Sequence, residues 1–589
     1  MALGLELVYI LFFAIIGGVL AVRFNQPSVL GVLIAGALVG PNALGFIENK
    51  EIMELSIDIG AILLLFLVGL EFSIKKLFDL GLRAVIISVI KIGIVFFVGY
   101  HIALLYGLSA AASIFIGVIL SITSTVIFLK ILEQKDMLNR PEVHLLIAVL
   151  IIEDVFGVFA LTFFSSLGSN EQLTPLIIIL KLLLSLSLIG IVYFVLLRLA
   201  KPTIDWLSSY STEDTITFMA IGICAGMAYV ANLIGLSSAV GAFLAGNIVS
   251  TLKNEEAFEK AIHPFILTFT SLFFFSIGTI VDFHSVFSYI WLILLLFIVN
   301  ILFKFLSVGF SMYLFSDTTG KGAVFSGLAM VSLGEFSLLI AKEANNLNLG
   351  VDFLSITAII IFFSSLSMSL FVTKSNLIYN ALSVFMPRGM KQDMQAACQY
   401  LRCLSLGTIF TGIRRRNISL EWKHVYTNAI GIFFIALVGI IWYNTSEFRF
   451  FKEIFQNAFL KWLTIIVVAI IILFPTFNVI RNFRRLIIDL FKSYISLYPQ
   501  EIANEKKIFR NIIIAVVLFI VSLSIPAIVT LFGLNPRWSG ISIGLIIMVL
   551  FIFMKSGYLS DRIINSNRQT FQKYLTMYNN KMRNRRFRP

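Results

Sequence analysis

The stretch Leu145-Leu146-Ile147-Ala148-Val149-Leu150-Ile151-Ile152-Glu153-Asp154-Val155-Phe156-Gly157-Val158-Phe159-Ala160 sets two adjacent carboxylates in the middle of a long apolar run. Without the pair, this is the composition of a helix that crosses a bilayer, which needs about 20 apolar residues to span a hydrocarbon core of about 30 Å. A central Asp costs about 2.5–3.5 kcal/mol on insertion scales. Two neighbours are therefore expected only where they meet a wet cavity, a cation or protons. The bland alternative is a structural polar pair buried against another helix. It is disfavoured because residues about 100° apart on a helix do not share one partner easily.

Outward from this run, the whole chain carries the same signature. Of its 589 residues, 59% are hydrophobic and 13% charged, and the apolar residues gather in long blocks. Lipid gives backbone N–H and C=O groups no partner, so only helices or closed barrels cross it; the blocks lack the period-2 alternation of barrel strands. The fold class is thus an all-α polytopic membrane protein. Helices are predicted near residues 5–22, 27–46, 55–73, 84–106, 109–132, 143–167, 174–199, 213–233, 237–252, 262–281, 286–315, 321–342 and 352–374, about thirteen in all. The first begins almost at Met1 without a basic leader or a small-residue cleavage site, so it reads as a retained helix.

Charge orders these helices. Arg23, then Lys75, Lys76 and Arg83, then Lys135 and Arg140, then Arg198 and Lys201, then Lys253 and Lys260, then Lys321 fall in alternate connections. The positive-inside rule makes that set cytoplasmic, with the N-terminus outside and the C-terminus in the cytoplasm of a cell-membrane protein. It also explains the net charge of +13 without nucleic acid. Residues 1–380 form the first membrane domain, and 381–424 read as a basic cytoplasmic linker containing Arg414, Arg415 and Arg416. Residues 425–589 read as a module of about four further transmembrane helices, near 425–443, 460–480, 510–532 and 538–555. Its basic loop, Arg481 to Arg510, and its tail suit anchoring to anionic lipid.

A second charge stands where lipid is expected. Lys304 lies between Ile298–Phe303 and Phe305–Phe310, too deep to reach the interface, and needs a negative partner. A contact with Asp154 would balance burial against pairing; the plainer reading is a structural brace. Lys91 occupies roughly the mirror position in the fourth helix, and its nearness to the basic loop favours snorkelling. Ser121-Ile122-Thr123-Ser124-Thr125 and Ser332-Leu333-Gly334-Glu335 look like interruptions. Each falls in the middle helix of a three-helix unit, and the two units are inserted in opposite senses. Inverted repeats of transporters look like this, with freed carbonyls meeting at mid-membrane. Either segment alone is weak, because Ser and Thr often bond back to the preceding turn.

Together these residues carry a resemblance. Gln26-Pro27-Ser28-Val29-Leu30-Gly31 through Ala35-Gly36, Gly40-Pro41-Asn42 and Leu44-Gly45, then Leu67-Val68-Gly69-Leu70-Glu71, Ser124-Thr125, Glu153-Asp154, Lys304 and Gly334-Glu335-Phe336 run in order over about residues 1–380. This series resembles the second family of monovalent cation:proton antiporters, of potassium-efflux and sodium/proton exchanger type. The resemblance implies a thirteen-helix fold with inverted repeats and two broken crossing helices, a homodimer, and elevator-type alternating access. It implies that Asp154 binds Na⁺ or K⁺ and the proton in competition, that Glu153 modulates affinity, and that Lys304 pairs with Asp154 when no ion is bound. Thr123 and Ser124 join the cation site, with Glu335 and Glu71 as supporting acids. Potassium-efflux members commonly carry a soluble nucleotide-binding domain, whereas this chain has no Gly-x-Gly-x-x-Gly after a strand and has extra membrane helices instead.

The expected function is exchange of Na⁺ or K⁺ for protons, with membrane lipids as surroundings and no cofactor. Two other readings use the same residues: a regulated, channel-like cation efflux path, and a membrane ion sensor that does not transport. An enzyme is disfavoured, because His101, His144, His263, His284 and His424 are scattered without a nucleophile or metal spacing. Cys224, Cys398 and Cys403 are odd in number and not spaced for zinc.

Overall fold

The computed structural model describes residues 2–71, 81–165, 212–233, 237–252, 254–316 and 318–385, with isolated positions beyond. The predicted helices at 174–199 and after residue 425, and the linker 381–424 beyond Phe385, lie outside the described residues. The chain divides into two compact units, and the described stretches belong to the one containing Met1–Phe385.

Among the described residues every regular element is a helix. In chain order they are α1 (Ala2–Arg23), α2 (Ser28–Val39), α3 (Lys50–Glu71), α4 (Gly81–Leu105), α5 (Ala110–Ser121), α6 (Thr125–Gln134), α7 (Val143–Ser165) and α8 (Glu213–Leu233). Then follow α9 (Ser238–Val249), α10 (Glu255–Ile280), α11 (Phe283–Ser288), α12 (Ile290–Phe315), α13 (Gly320–Ala329), α14 (Glu335–Asn346), α15 (Phe353–Thr373) and α16 (Ser375–Phe385). Among the described residues, eight spans are long and apolar enough to cross a membrane, one of them the interrupted pair α5–α6.

Two helices are shorter than the sequence suggests. The apolar run at 27–46 stops being helical at Val39, where Gly40 takes an extended conformation. The chain then turns back through Gly45 at φ +67°, while the Asn42 amide donates to the Val281 carbonyl at 3.1 Å. α9 likewise covers 12 residues. Twelve residues rise about 18 Å, well short of the hydrocarbon core. The run at 286–315 splits instead, because Asp282 caps a separate short turn, α11, by accepting from the His284 and Ser285 amides.

The helices sort into two bundles. In one, α3 packs on α9 and α10, α2 on α1 and α10, and α8 on α9 and α10; in the other, α4 packs on α5, α7 and α12, and α14 on α5, α7 and α15. The first bundle is built on small residues. A Cβ on Gly36 would fall 2.1 Å from the Phe275 carbonyl oxygen and one on Gly278 2.2 Å from that of Leu33, so α2 and α10 touch backbone to backbone. The same contact recurs between α9 and α3, where Gly246 meets the Phe66 carbonyl and Gly69 that of Phe243. Close approach through small residues is how membrane helices gain packing where lipid supplies no hydrophobic drive. The contacts are reciprocal between the halves of the chain, α2 lying against α10 and α9 against α3.

The second bundle shows what decides which face of a helix turns inward. On α12 Trp291, Leu294, Leu295, Ile298, Leu302, Leu306 and Phe310 are exposed, whereas Leu292, Leu296, Val299, Asn300, Lys304, Ser307 and Ser311 are buried. The apolar stripe at helical spacing is the face suited to lipid, and the polar stripe faces the bundle.

Candidate functional site

The two interruptions lie at the heart of this second bundle. α5 ends at Ser121, Ile122 leaves the helix with extended dihedrals, and Ser124 caps α6 by accepting from the Ile127 amide at 3.1 Å. α13 ends at Ala329, and Gly334 precedes α14 in an extended conformation. The interruptions cross at van der Waals distance: a Cβ on Gly334 would lie 3.0 Å from the Ser124 nitrogen and from the Thr123 carbonyl. A side chain there would press on the main chain of the first interruption.

Breaking a helix strips main-chain groups of their partners, and each must be satisfied inside the protein. At the first interruption the Lys91 ammonium donates to the Ser121 carbonyl at 2.5 Å and to Thr123 Oγ1 at 2.7 Å. Glu153 Oε2 accepts from the Thr123 amide at 3.0 Å and from Lys91 at 2.6 Å. Thr123 Oγ1 donates across the crossing to the Met330 carbonyl at 3.3 Å. At the second interruption the Asn300 amide donates to the Val331 carbonyl at 2.7 Å, and the Ser364 hydroxyl accepts from the Leu333 amide at 3.2 Å. Lys304 serves both, donating at 2.9 Å to the Ile122 and Ser332 carbonyls.

Asp154 stands beside this crossing on the unbroken helix α7, 5% exposed, with Thr125 Oγ1 donating to its Oδ2 at 2.9 Å. Glu335, at the start of α14, is equally buried and accepts from the Ser124 hydroxyl at 2.6 Å. The N-cap residue of one interrupted helix is thereby tied to the first residue of the other. The site gathers Glu153, Asp154, Thr123, Ser124, Lys304 and Glu335. Glu71 is the last residue of α3, and its side chain lies outside the described residues.

One sequence-based expectation changes. Lys91 does not snorkel: it is fully buried on the inward face of α4 and forms an ion pair with Glu153. Distance from a basic loop misleads here because snorkelling needs a lipid-facing side chain, and the bundle's freed carbonyl and carboxylate hold this one. The Lys304 ammonium lies on main-chain carbonyls, one from each interruption. A hydroxyl on Asp154 belongs to Thr125, the next residue after Thr123 and Ser124, the two expected to join the cation site. Position along a helix start cannot be resolved to one residue before the cap is known.

Chemically, the arrangement offers a cation oxygens of three kinds within one bundle: carboxylate, hydroxyl and main-chain carbonyl. It also offers two ammonium groups already seated on such oxygens. Hard monovalent and divalent cations prefer oxygen ligands of this sort, and the same carboxylates can take protons.

Comparison with known proteins agrees with this geometry. Residues 8–374 match the family model described as "Sodium/hydrogen exchanger, transmembrane". The chain is 31% identical over 328 residues to the Na(+)/H(+)-K(+) antiporter GerN of Bacillus cereus, covering 55% of this chain and 84% of the relative. It is 32% identical to an Na(+)/H(+) antiporter of Enterococcus hirae, covering 57% and 87%. It is 30% identical to K(+) efflux antiporter 5 of Arabidopsis thaliana, covering 58% and 61%. The structure of the sodium proton antiporter MjNhaP1 from Methanocaldococcus jannaschii superposes with a TM-score of 0.51 over 64% of this chain and 99% of that one; at 17% identity this bears on the fold alone. On the match over residues 8–374, this polytopic helical chain belongs to the sodium/hydrogen exchanger family.

Proposed function

We propose that the protein is a secondary transporter that exchanges Na⁺ or K⁺ for protons, and that Asp154 is the group for which cation and proton compete. One observation carries the reading: a buried carboxylate on a continuous helix stands where two interrupted helices cross and expose their carbonyls. A dehydrated cation wants those oxygens, and a proton wants the same carboxylate. If the bare, charged carboxylate is barred from changing sides by the cost of desolvating it, only loaded forms cross and exchange is obligatory. The named antiporters among the relatives support the same reading.

The division into two bundles supports elevator-type alternating access, in which the bundle of α4–α7 and α12–α15 moves against that of α1–α3 and α8–α10. We place the protein in a cell membrane as a homodimer, with its N-terminus outside and C-terminus in the cytoplasm. Residues 1–380 form the exchanger and 381–424 a basic linker, while 425–589 form a further membrane module. Thr123 and Ser124 shape the cation site through the main chain they organise, Lys304 competes with the cation for carbonyls, and Glu335 and Glu71 are supporting acids.

The test is proton flux driven by an imposed Na⁺ or K⁺ gradient in proteoliposomes. Asp154→Asn is expected to reduce it to the level of protein-free liposomes. Wild-type flux from that variant would overturn the assignment.

A further inference from the structure

Glu153 and Asp154 are neighbours in the sequence, but the structure gives them different work. Glu153 is fully buried, and its Oε2 accepts both from Lys91 and from the Thr123 amide. Lys91 spends its three protons on Ser121 O, Thr123 Oγ1 and Glu153, the full capacity of an ammonium. At the second interruption the equivalent demand of the Leu333 amide is met by a neutral hydroxyl, that of Ser364. A carboxylate is therefore not needed to satisfy the freed amide at such a break. The charge Glu153 brings is offset by a dedicated partner on α4.

We propose that Lys91 is a positioning residue that holds Glu153 as an ion-paired strut against the first interruption, so that Asp154 alone of the adjacent pair exchanges its partners during transport. The inference rests on the reading of Asp154 given above and refines it: it sets how many carboxylates the cation meets. Other charged groups near the strut are Asp154 on the same helix, Lys304 from α12 and Glu335 from α14. Lys304 and Glu335 are each engaged elsewhere, on the Ile122 and Ser332 carbonyls and on Ser124.

The experiment measures apparent KM and kcat for cation-driven proton flux in proteoliposomes, with each variant first checked for folding by size exclusion in detergent. Lys91→Met uncovers a negative charge close to the cation path. At the field of a unit charge several ångströms away in a semi-polar interior, it is expected to lower the cation KM by about fivefold or more. Glu153→Gln with Lys91 intact uncovers the opposite charge and should raise KM by a similar factor. The double variant K91M/E153Q should reverse most of either shift. Unequal kcat losses with no KM movement, or a double variant that behaves like K91M alone, would overturn the proposal and leave Lys91 a mere brace. If Lys91→Met does not fold, the sign of the KM change in Glu153→Gln decides, an unchanged or lowered value overturning it. Persistent exchange in Asp154→Asn would instead defeat the reading of Asp154, a result separable from any KM shift at Lys91 and Glu153.

Discussion

The two helix interruptions are built alike and equipped differently. Each leaves carbonyls and amides without helical partners, each receives a lysine from the helix before it, and the two cross with Gly334 against Thr123 and Ser124. The first is held by charge, Lys91 and Glu153. The second is held largely by neutral groups, Asn300 and Ser364. The backbone device recurs in both halves of the chain, and the first interruption pairs its lysine with a carboxylate, whereas Lys304 at the second rests on main-chain carbonyls. The scaffold bundle shows no such divergence, for Gly36 and Gly246 make matching backbone contacts.

Four substitutions sharpen or break this contrast. Removing the charged support should cost most: Glu153→Ala strands a buried ammonium, about 3–5 kcal/mol for one member of a buried pair, read as a large fall in the thermal midpoint in detergent. Next, Gly36→Ala and Gly246→Ala each force a Cβ against a carbonyl oxygen, and overpacking of this kind costs about 1–3 kcal/mol. The two should fall by the same amount, and a clear inequality in their midpoints would end the idea of an evenly repeated scaffold. Smallest is Ser364→Ala, which removes one neutral hydrogen bond to the Leu333 amide, about 1 kcal/mol. A loss at Ser364 as large as that at Glu153 would mean that charge makes no difference between the two interruptions.

Much of this was legible in the sequence, for physical reasons that differ from residue to residue. Apolar runs announce helices because lipid tolerates nothing else, and Glu153, Asp154 and Lys304 stand out because charge is so costly there. The Ser-Thr and Ser-Leu-Gly-Glu interruptions showed through their matching places in two three-helix units. The partners did not show. Lys91 and Lys304 choose among carbonyls and carboxylates that come together only when α4, α7 and α12 pack, and no local pattern encodes that choice. The end of α2 was missed because the run continues past it through Gly40-Pro41 to Leu44 and Phe46. The paired glycines, Gly31 and Gly36 with Gly241 and Gly246, were a readable sign of the repeat: the segments Gly31-Val32-Leu33-Ile34-Ala35-Gly36 and Gly241-Ala242-Phe243-Leu244-Ala245-Gly246 differ at only three places between their glycines.

The bond from Ser124 to Glu335 makes a yoke of the crossing. Whatever tugs one interrupted segment is felt by its twin, so the surroundings of Asp154 inherit their shape from both halves of the chain at once. A preference for one alkali ion over another then cannot be grafted by transplanting either segment alone; it is the property of a joint, and both pieces of the joint would have to travel together.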